Sequence, residues 1–247
     1  MSQPIIEVRN ASVRFNLGRR PQDGLKSYVK SLLNRELLFQ EFFALQDINL
    51  TVRPGESWGF VGRNGSGKST LLKLITGILK PHTGSVAVRG SIAPLLELGA
   101  GFDGDLTGRE NIVMNGLILG MSKKEINERF DEIISFAEIE QFLDVPLKNY
   151  SSGMKARLGF AIATSSRADI LIADEVLATG DRQFQAKCEQ RMQNMLGDGS
   201  TTLLYVSHAP NAVRKLCTHA MWLDGGHVRM AGPAAEVCAA YENSPKP

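Results

Sequence analysis

Residues 62–70 combine the residue types that a phosphate-binding loop requires. Their sequence, GRNGSGKST, matches the pattern G-x-x-x-x-G-K-[ST] at every fixed position. The glycines let backbone N–H groups turn inward toward phosphate oxygens. The Lys68 ammonium would reach the β- and γ-phosphates of a nucleotide, and the Ser69 hydroxyl would ligate Mg²⁺. The predicted nucleotide-binding residues are Gly62, Arg63, Asn64, Gly65, Ser66, Gly67, Lys68, Ser69 and Thr70.

The segments on either side of this loop place it between a strand and a helix. Residues 56–61 are typical of a short β-strand, and the apolar residues after the loop recur at helical spacing before Pro81. These apolar residues are Leu71, Leu72, Ile75, Ile78 and Leu79. The strand-to-helix context favours a phosphate-binding loop over the alternative, a glycine-rich turn with no ligand.

Two other apolar runs end in residues that could act on a phosphate. Residues 170–173 lead into Asp174 and Glu175, and residues 203–206 lead into His208. Such runs are typical of strands buried in a parallel sheet, which binds ligands at the carboxyl ends of its strands. Asp174 is predicted to hold Mg²⁺, Glu175 to direct the attacking water, and His208 to contact a γ-phosphate. The alternatives are solvated turn carboxylates and an ordinary turn histidine.

The bulk properties indicate a globular protein. The chain has 247 residues, of which 43% are apolar and 22% charged, so it can bury a full core. A net charge of +2 is too small to indicate nucleic acid as the main partner. Three widely spaced cysteines predict neither a disulfide framework nor a zinc site. We also expect no signal peptide and no membrane-spanning helix, because no apolar run approaches about 20 residues.

The order of these motifs resembles that of the nucleotide-binding subunit of ABC transporters. Between the phosphate loop and Asp174 lies YSSGM at residues 150–154, and Asp181 and His208 follow. The resemblance implies that YSSGM is the signature segment usually written LSGGQ, Asp181 the D-loop aspartate and His208 the switch histidine. It further implies a head-to-tail homodimer that clamps each ATP between two chains. The partner's contribution would come from Ser151, Ser152 and Gly153.

Departures from the general pattern narrow the resemblance. No glutamine occurs from position 91 to position 105, where the family has its Q-loop, and Glu97 is the nearby carboxylate that could replace it as a Mg²⁺ ligand. With the variant signature and residues 107–112 and 174–181, the chain looks like the ATPase subunit of polysaccharide exporters. These comprise O-antigen, capsule and teichoic acid systems.

The exporter resemblance implies a set of partners and a location. ATP and Mg²⁺ are the implied cofactors, and two copies of a polytopic membrane permease are the implied partners. The chain would lie on the cytoplasmic face of the inner membrane as a peripheral subunit that powers movement of a lipid-linked polysaccharide. Two alternative interpretations are a soluble ABC-type protein that acts on DNA or ribosomes, and a subunit of an importer for a small solute.

The expected fold is an α/β P-loop NTPase with a RecA-like core, an antiparallel β edge and an inserted helical sub-domain. A single domain would span residues 1–247. Residues 1–90 and 165–247 would form the core, and residues 91–164 would form the helical sub-domain that carries the signature segment. Within that sub-domain, Ser122 and Glu125 form a capping box that predicts the start of a helix.

Residues 24–43 and Phe15 carry two further expectations. Leucines at helical spacing, with lysines and arginines near the opposite side, predict an amphipathic helix over residues 24–43. This helix would either pack on its own sheet or lie against the membrane or the permease. The resemblance implies that Phe15 stacks on adenine, and the alternative is an ordinary core aromatic.

Overall fold

The computed structural model describes residues 3–17, 40–95, 101–174, 182–197 and 199–244. Its strands are β1 (Ile6–Leu17), β2 (Gln40–Val52), β3 (Ser57–Val61), β4 (Thr83–Val88), β5 (Ile92–Pro94), β6 (Ile170–Asp174), β7 (Thr202–Val206), β8 (His219–Asp224) and β9 (His227–Pro233). Its helices are α1 (Lys68–Ile75), α2 (Gly108–Ile118), α3 (Lys123–Ala137), α4 (Ser152–Ser165), α5 (Arg182–Gly197), α6 (Pro210–Leu216) and α7 (Ala234–Glu242). Short 3₁₀ turns lie at Glu140–Phe142 and Leu147–Asn149.

A six-stranded sheet in the order β5-β6-β7-β3-β8-β9 forms the centre of the fold. The first five strands are parallel, and β9 pairs antiparallel with β8. Every residue of β3 and of β7 is buried, as expected for parallel strands covered on both faces. The strands predicted over residues 56–61, 170–173 and 203–206 are therefore confirmed.

Alternate residues of the central strands enter two separate hydrophobic cores. In β6, Ile170 and Ile172 pack into the core beneath the antiparallel sheet and α1, whereas Leu171 and Ala173 pack into the core formed with α2 to α7. This alternation follows from the two-residue period of a strand. The central sheet therefore separates the antiparallel layer from most of the helices.

The antiparallel edge consists of β2, β1 and β4, in that order. The β1–β2 ribbon is paired from Ile6 and Val52 to Leu17 and Gln40. Its extent corrects the end of the predicted amphipathic helix, because residues 40–43 are in β2. Phe42 and Phe43, which have high β-propensity, pair there with β1 through the backbone ladder. The rest of that predicted helix, residues 24–39, lies outside the described residues.

Helices α2, α3 and α4 follow one another between β5 and β6, as predicted for this part of the chain. The Ser122 hydroxyl accepts a hydrogen bond from the Glu125 N–H, and the Glu125 carboxylate accepts one from the Ser122 N–H, so the predicted capping box is confirmed. Strand β5 lies within residues 91–164, the range predicted for the helical sub-domain, but it belongs to the main sheet, and the first described helix after it begins at Gly108. In the part of the chain that the structure describes, no helix combines the length and apolar character needed to cross a membrane.

The helix after the phosphate-binding loop is shorter than predicted. Helix α1 ends at Ile75, and the next residues turn back on it, with the Leu79 N–H donating to the Lys73 carbonyl at 3.0 Å. Gly77 permits this turn because its φ is 77°. Ile78, predicted on the apolar face of the helix, is instead 68% exposed.

Candidate nucleotide-binding site

The phosphate-binding loop joins β3 to α1, in the context predicted from the sequence. All three of its glycines have φ values that favour glycine, 148° at Gly62, 77° at Gly65 and 109° at Gly67. A Cβ atom would come within 2.2 Å of the Leu223 carbonyl oxygen at Gly62, and within 2.8 Å of the Ala44 carbonyl oxygen at Gly67. Backbone conformation and close packing therefore both require glycine at these two positions.

The turn between β8 and β9 supports the loop from behind. The Gly226 N–H donates to the Ser66 carbonyl at 3.1 Å, and the Gly226 carbonyl accepts from the Gln46 N–H at 2.8 Å. Sequence reasoning missed this support. The available signal was the Gly225-Gly226 pair between two apolar runs, which is typical of a tight hairpin but does not indicate what the hairpin touches.

A cleft of about 430 Å³ opens beside the loop. It is lined by residues of the loop and α1, by β1 and β2, and by the carboxyl end of β7. The lining residues are Phe15, Phe42, Ala44, Asn64, Gly65, Gly67, Lys68, Ser69, Thr70, Val206 and His208. The structure thus brings most of the predicted loop residues together with Phe15 and His208 around one cavity. Its volume falls within the range typical of small-molecule sites.

Two side chains of the loop carry polar groups that suit a phosphate. Lys68 is only 6% exposed, and its ammonium donates to the carbonyls of Gly62 at 2.7 Å and Arg63 at 2.9 Å. The Ser66 hydroxyl is buried and has no hydrogen-bond partner among the described residues. A buried hydroxyl without a partner is costly, and a phosphate oxygen nearby would satisfy it. The loop therefore fits a nucleotide phosphate chemically.

The predicted catalytic residues follow strands that are neighbours in the sheet. Asp174, the last residue of β6, is in register with Val206 of β7, and Val206 is in register with Phe60 of β3. The strand ends that lead to the phosphate loop, to Asp174 and to His208 therefore lie along one edge of the sheet. Each of these residues lies at the end of its strand or a few positions beyond it. Their proximity is therefore a direct result of the parallel topology.

His208 lies two residues beyond the end of β7, on the rim of the cleft. Its backbone is held by the preceding residue, since the buried Ser207 hydroxyl accepts a hydrogen bond from the Ala209 N–H at 3.1 Å. The position of His208 in the cleft lining is compatible with its predicted contact to a γ-phosphate. That role stays a prediction.

The predicted signature segment, residues 150–154, lies elsewhere on the surface of the chain. The Ser151 hydroxyl caps α4 by accepting a hydrogen bond from the Met154 N–H at 3.1 Å, and both Ser151 and Ser152 are exposed. Tyr150 anchors the turn, because its hydroxyl donates to the Phe142 carbonyl at 2.6 Å and burial raises its pKa, which keeps it protonated. None of residues 150–154 lines the cleft described above.

Two aromatic rings stand at the outer end of the cleft. Phe15 of β1 and Phe42 of β2 are direct partners in the antiparallel ladder, and they are 39% and 48% exposed. Phe15 is therefore a cleft residue and not a core aromatic. Sequence reasoning missed Phe42, because its position was assigned to the predicted amphipathic helix over residues 24–43.

The predicted Mg²⁺ ligands are only partly described. Ser69 is exposed and lines the cleft, and Asp174 ends β6, which β7 separates from the strand that leads to the phosphate-binding loop. A hydroxyl and a carboxylate are oxygen ligands of the kind that Mg²⁺ prefers. Glu97, Glu175 and Asp181 lie outside the described residues. Elsewhere in the described ranges, no group of three or more His, Cys, Asp or Glu side chains could hold a metal ion.

Comparison with known proteins gives a consistent result. Residues 45–178 match the family model described as ABC transporter. The chain is 40% identical to the O-antigen export system ATP-binding protein RfbB of Klebsiella pneumoniae, over 98% of this chain and 99% of that protein. It is 51% identical to a Myxococcus xanthus protein of the same name, over 81% of this chain but only 46% of that longer protein.

A further relative and a solved structure agree with these matches. The teichoic acids export ATP-binding protein TagH of Bacillus cereus is 39% identical over 96% of this chain, which spans 42% of TagH. Among solved structures, a dimeric ATP-binding cassette in a post-hydrolysis state with ADP and phosphate superposes with a TM-score of 0.73. The superposition covers 93% of this chain and 98% of the other at 22% identity, which supports the shared fold. On the extent of these matches, the chain belongs to the ABC transporter family and is an ATP-binding cassette ATPase with the P-loop NTPase fold.

Proposed function

We propose that this chain is the ATPase subunit that powers export of a lipid-linked polysaccharide, with O-antigen as the first candidate. The observation that carries the proposal is the 40% identity to an O-antigen export ATP-binding protein over nearly the full length of both chains. A match of that extent reaches well beyond residues 45–178, which the family model covers. Shared fold alone would not indicate a substrate.

The active unit in this proposal is a head-to-tail homodimer. Within one chain, Ser151 caps an exposed helix end that does not line the cleft, although helix N-termini with free N–H groups attract phosphate oxygens. A second chain could supply that helix end to the open side of the cleft. Two helix N-termini would then face one triphosphate, so ATP would join the chains and hydrolysis would release them.

Each catalytic residue has a distinct role in the proposed reaction. Lys68 and the loop N–H groups would bind the β- and γ-phosphates, and His208 would contact the γ-phosphate from the rim of the cleft. Glu175 would orient the attacking water and accept its proton. Mg²⁺, held by Ser69 and Asp174 with Glu97 as a further candidate, would supply positive charge to the phosphate oxygens. Asp181 would act near the dimer interface.

The proposed membrane partner is a polytopic permease present in two copies. The chain would bind it at the cytoplasmic face of the inner membrane as a peripheral subunit, because transport requires a path through the bilayer that this subunit would drive but not form. Residues 24–39 are the candidates for contact with the permease or the lipid surface, since their sequence is amphipathic and basic on one side.

A second candidate function is export of teichoic acid, which the 39% identity to TagH favours. The two readings differ in the glycan and its lipid carrier. Proteoliposomes that contain this chain and a co-purified permease would distinguish them. Stimulation of ATP hydrolysis by lipid-linked O-antigen, with none by a lipid-linked teichoic acid precursor, is the expected result. The reverse pattern would favour the second candidate, and failure to purify with any polytopic membrane protein would contradict both.

A further inference from the structure

Glu138 ends α3 in a backbone conformation that favours glycine. Its φ and ψ are 58° and 47°, in the left-handed region, and its N–H donates to the Ile134 carbonyl at 2.9 Å. Helices commonly end on a glycine in this conformation, because a Cβ atom makes the left-handed region unfavourable. The backbone alone would therefore favour glycine at position 138. Any benefit of glutamate at this position must come from the contacts of its carboxylate oxygens.

The two carboxylate oxygens of Glu138 contact two different helices. One oxygen accepts a hydrogen bond from the Arg157 guanidinium of α4 at 2.6 Å, and the other accepts one from the Lys187 ammonium of α5 at 3.0 Å. Lys187 also donates to the Phe136 carbonyl at 3.1 Å. Glu138 thus links the helix that begins with the signature segment to the helix that follows β6 in sequence.

Beneath these charges, three aromatic rings join the same three helices. Phe136 of α3 lies 5.7 Å from Phe160 of α4 and 5.6 Å from Phe184 of α5, measured between ring centroids. The Arg157 guanidinium lies 4.8 Å from the Phe184 ring, and the Lys187 ammonium 4.8 Å from the Phe136 ring. The rings attract both cations, but the cations repel each other, and Glu138 supplies the negative charge between them.

We propose that Glu138 is a positioning residue for ATP hydrolysis. Its carboxylate fixes the rotation of α4 relative to α5, and thereby the angle at which Ser151 is presented to the nucleotide of the partner chain. Arg157 is fewer than two helical turns from Ser151, so a shift at Arg157 is transmitted to the helix N-terminus. The inference rests on the head-to-tail arrangement proposed above.

Glu138→Gly separates this role from a contribution to folding. The glycine relieves the left-handed backbone while it removes the carboxylate, so the melting temperature should stay equal or rise. ATPase activity per chain should depend on protein concentration in the wild type, and the concentration for half-maximal activity should increase about fivefold in Glu138→Gly. Glu138→Gln should show the same shift in ATPase activity with a lower melting temperature, because it keeps the backbone cost. Binding of a fluorescent ATP analogue to dilute chain should be unchanged in both.

Glu242→Gln is the matched control. Glu242 pairs with Arg214 between α6 and α7, and the two side chains are 42% and 28% exposed, against 51% and 22% for Glu138 and Arg157. The control should leave the ATPase curve unchanged. If wild-type activity depends on concentration and the Glu138→Gly curve superposes on it, the proposed role of Glu138 is overturned while the head-to-tail arrangement stands. An equal shift of the curve in Glu242→Gln would have the same meaning. Wild-type activity independent of concentration would overturn the head-to-tail arrangement and this inference with it.

Discussion

The Gly226 N–H donates a hydrogen bond to the Ser66 carbonyl, which connects the β8–β9 turn to the phosphate-binding loop across 160 positions of sequence. The φ of Gly226 is 83°, and a Cβ atom there would lie 2.9 Å from the Ala44 carbonyl oxygen. The turn therefore fits between β2 and the loop only without a side chain. Strain in this turn would be transmitted directly to the loop.

We expect Gly226→Ala to weaken nucleotide binding and to lower the free energy of unfolding by about 1–2 kcal/mol, because it adds both strain and a steric clash. Titration with a fluorescent ATP analogue and denaturant unfolding would measure the two effects. Gly225→Ala is the control, since Gly225 has a φ of 56° but open space where its Cβ would lie. Equal losses of affinity in both variants would show that contact with the loop is irrelevant.

The Ser151 hydroxyl should matter more for catalysis than for folding. Ser151→Ala removes the cap of α4 and should lower the free energy of unfolding by about 1 kcal/mol. It should also reduce ATPase activity about tenfold or more while ATP binding to dilute chain is unchanged, because the residue would serve the partner's site. Ser122→Ala removes an equivalent cap from α3, where the Glu125 N–H donates to Ser122 at 3.2 Å, and should leave activity unchanged. Similar activities for the two variants would contradict the proposed role.

Glu175→Gln should separate ATP binding from hydrolysis. Loss of the general base should reduce turnover at least about 100-fold, while the neutral amide still permits ATP to bind. We expect an ATP-dependent dimer to accumulate, detected by size-exclusion chromatography with light scattering. Addition of Lys68→Ala to this variant should abolish the dimer by removing the phosphate contact. Rapid turnover in Glu175→Gln would show that another residue is the base.

The two aromatic residues of the β1–β2 ribbon should contribute to binding of the base. Phe15→Ala and Phe42→Ala should each weaken ATP binding about fivefold, since a ring stacked on a base contributes about 1 kcal/mol or more. Binding of tripolyphosphate, measured by competition, should be unchanged, and Phe43→Ala should have no effect because Phe43 does not line the cleft. Equal loss of tripolyphosphate binding would indicate instead that the substitutions disturb the ribbon.

Stability at acidic pH should depend on Asp169 at the start of β6. Hydrogen bonds from the Ser91 N–H at 2.7 Å and the Ser91 hydroxyl at 2.8 Å lower the pKa of the Asp169 carboxyl below its ordinary value of 3.8. The folded state therefore binds this proton more weakly than the unfolded state. Its contribution to stability is present above the ordinary pKa and is lost as the pH falls through the lower folded value.

Unfolding by urea at a series of acidic pH values would measure this contribution. We expect the loss of stability in that window to be smaller in Asp169→Asn than in the wild type. Ser91→Ala should reduce it less, because it removes the hydroxyl bond to the Asp169 carboxylate but keeps the bond from the Ser91 N–H. An unchanged pH dependence in Asp169→Asn would rule out the contribution of this carboxyl.

Local patterns predicted those parts of the fold that depend on neighbours in sequence. The strands that end at Val61, Asp174 and Val206 follow from apolar runs, and the start of α3 follows from the capping box at Ser122. The predicted end of α1 was wrong, because Gly77 allowed the chain to turn back although the apolar period continued to Ile78. A glycine in the left-handed conformation, which is itself a local signal, ended the helix before the apolar period did.

Long-range pairing accounts for what sequence reasoning missed. Phe42 has a leucine-rich segment before it, which suggested a helix, but its partner in the ladder is Phe15, far away in sequence. Likewise, nothing near Gly226 in sequence indicates that it supports Ser66. The first contact forms when β1 pairs with β2, and the second forms when the β8–β9 turn packs against the phosphate-binding loop, so no local window contains either of them.

The distance between the exposed Ser151 and the cleft of its own chain has a consequence for inheritance. In the arrangement proposed above, every polypeptide contributes to two active sites, with Lys68 in one and Ser151 in the other. A variant chain that has lost both residues would therefore inactivate both active sites of any dimer that it forms with a normal chain. Alleles of that kind would act dominantly over a normal gene.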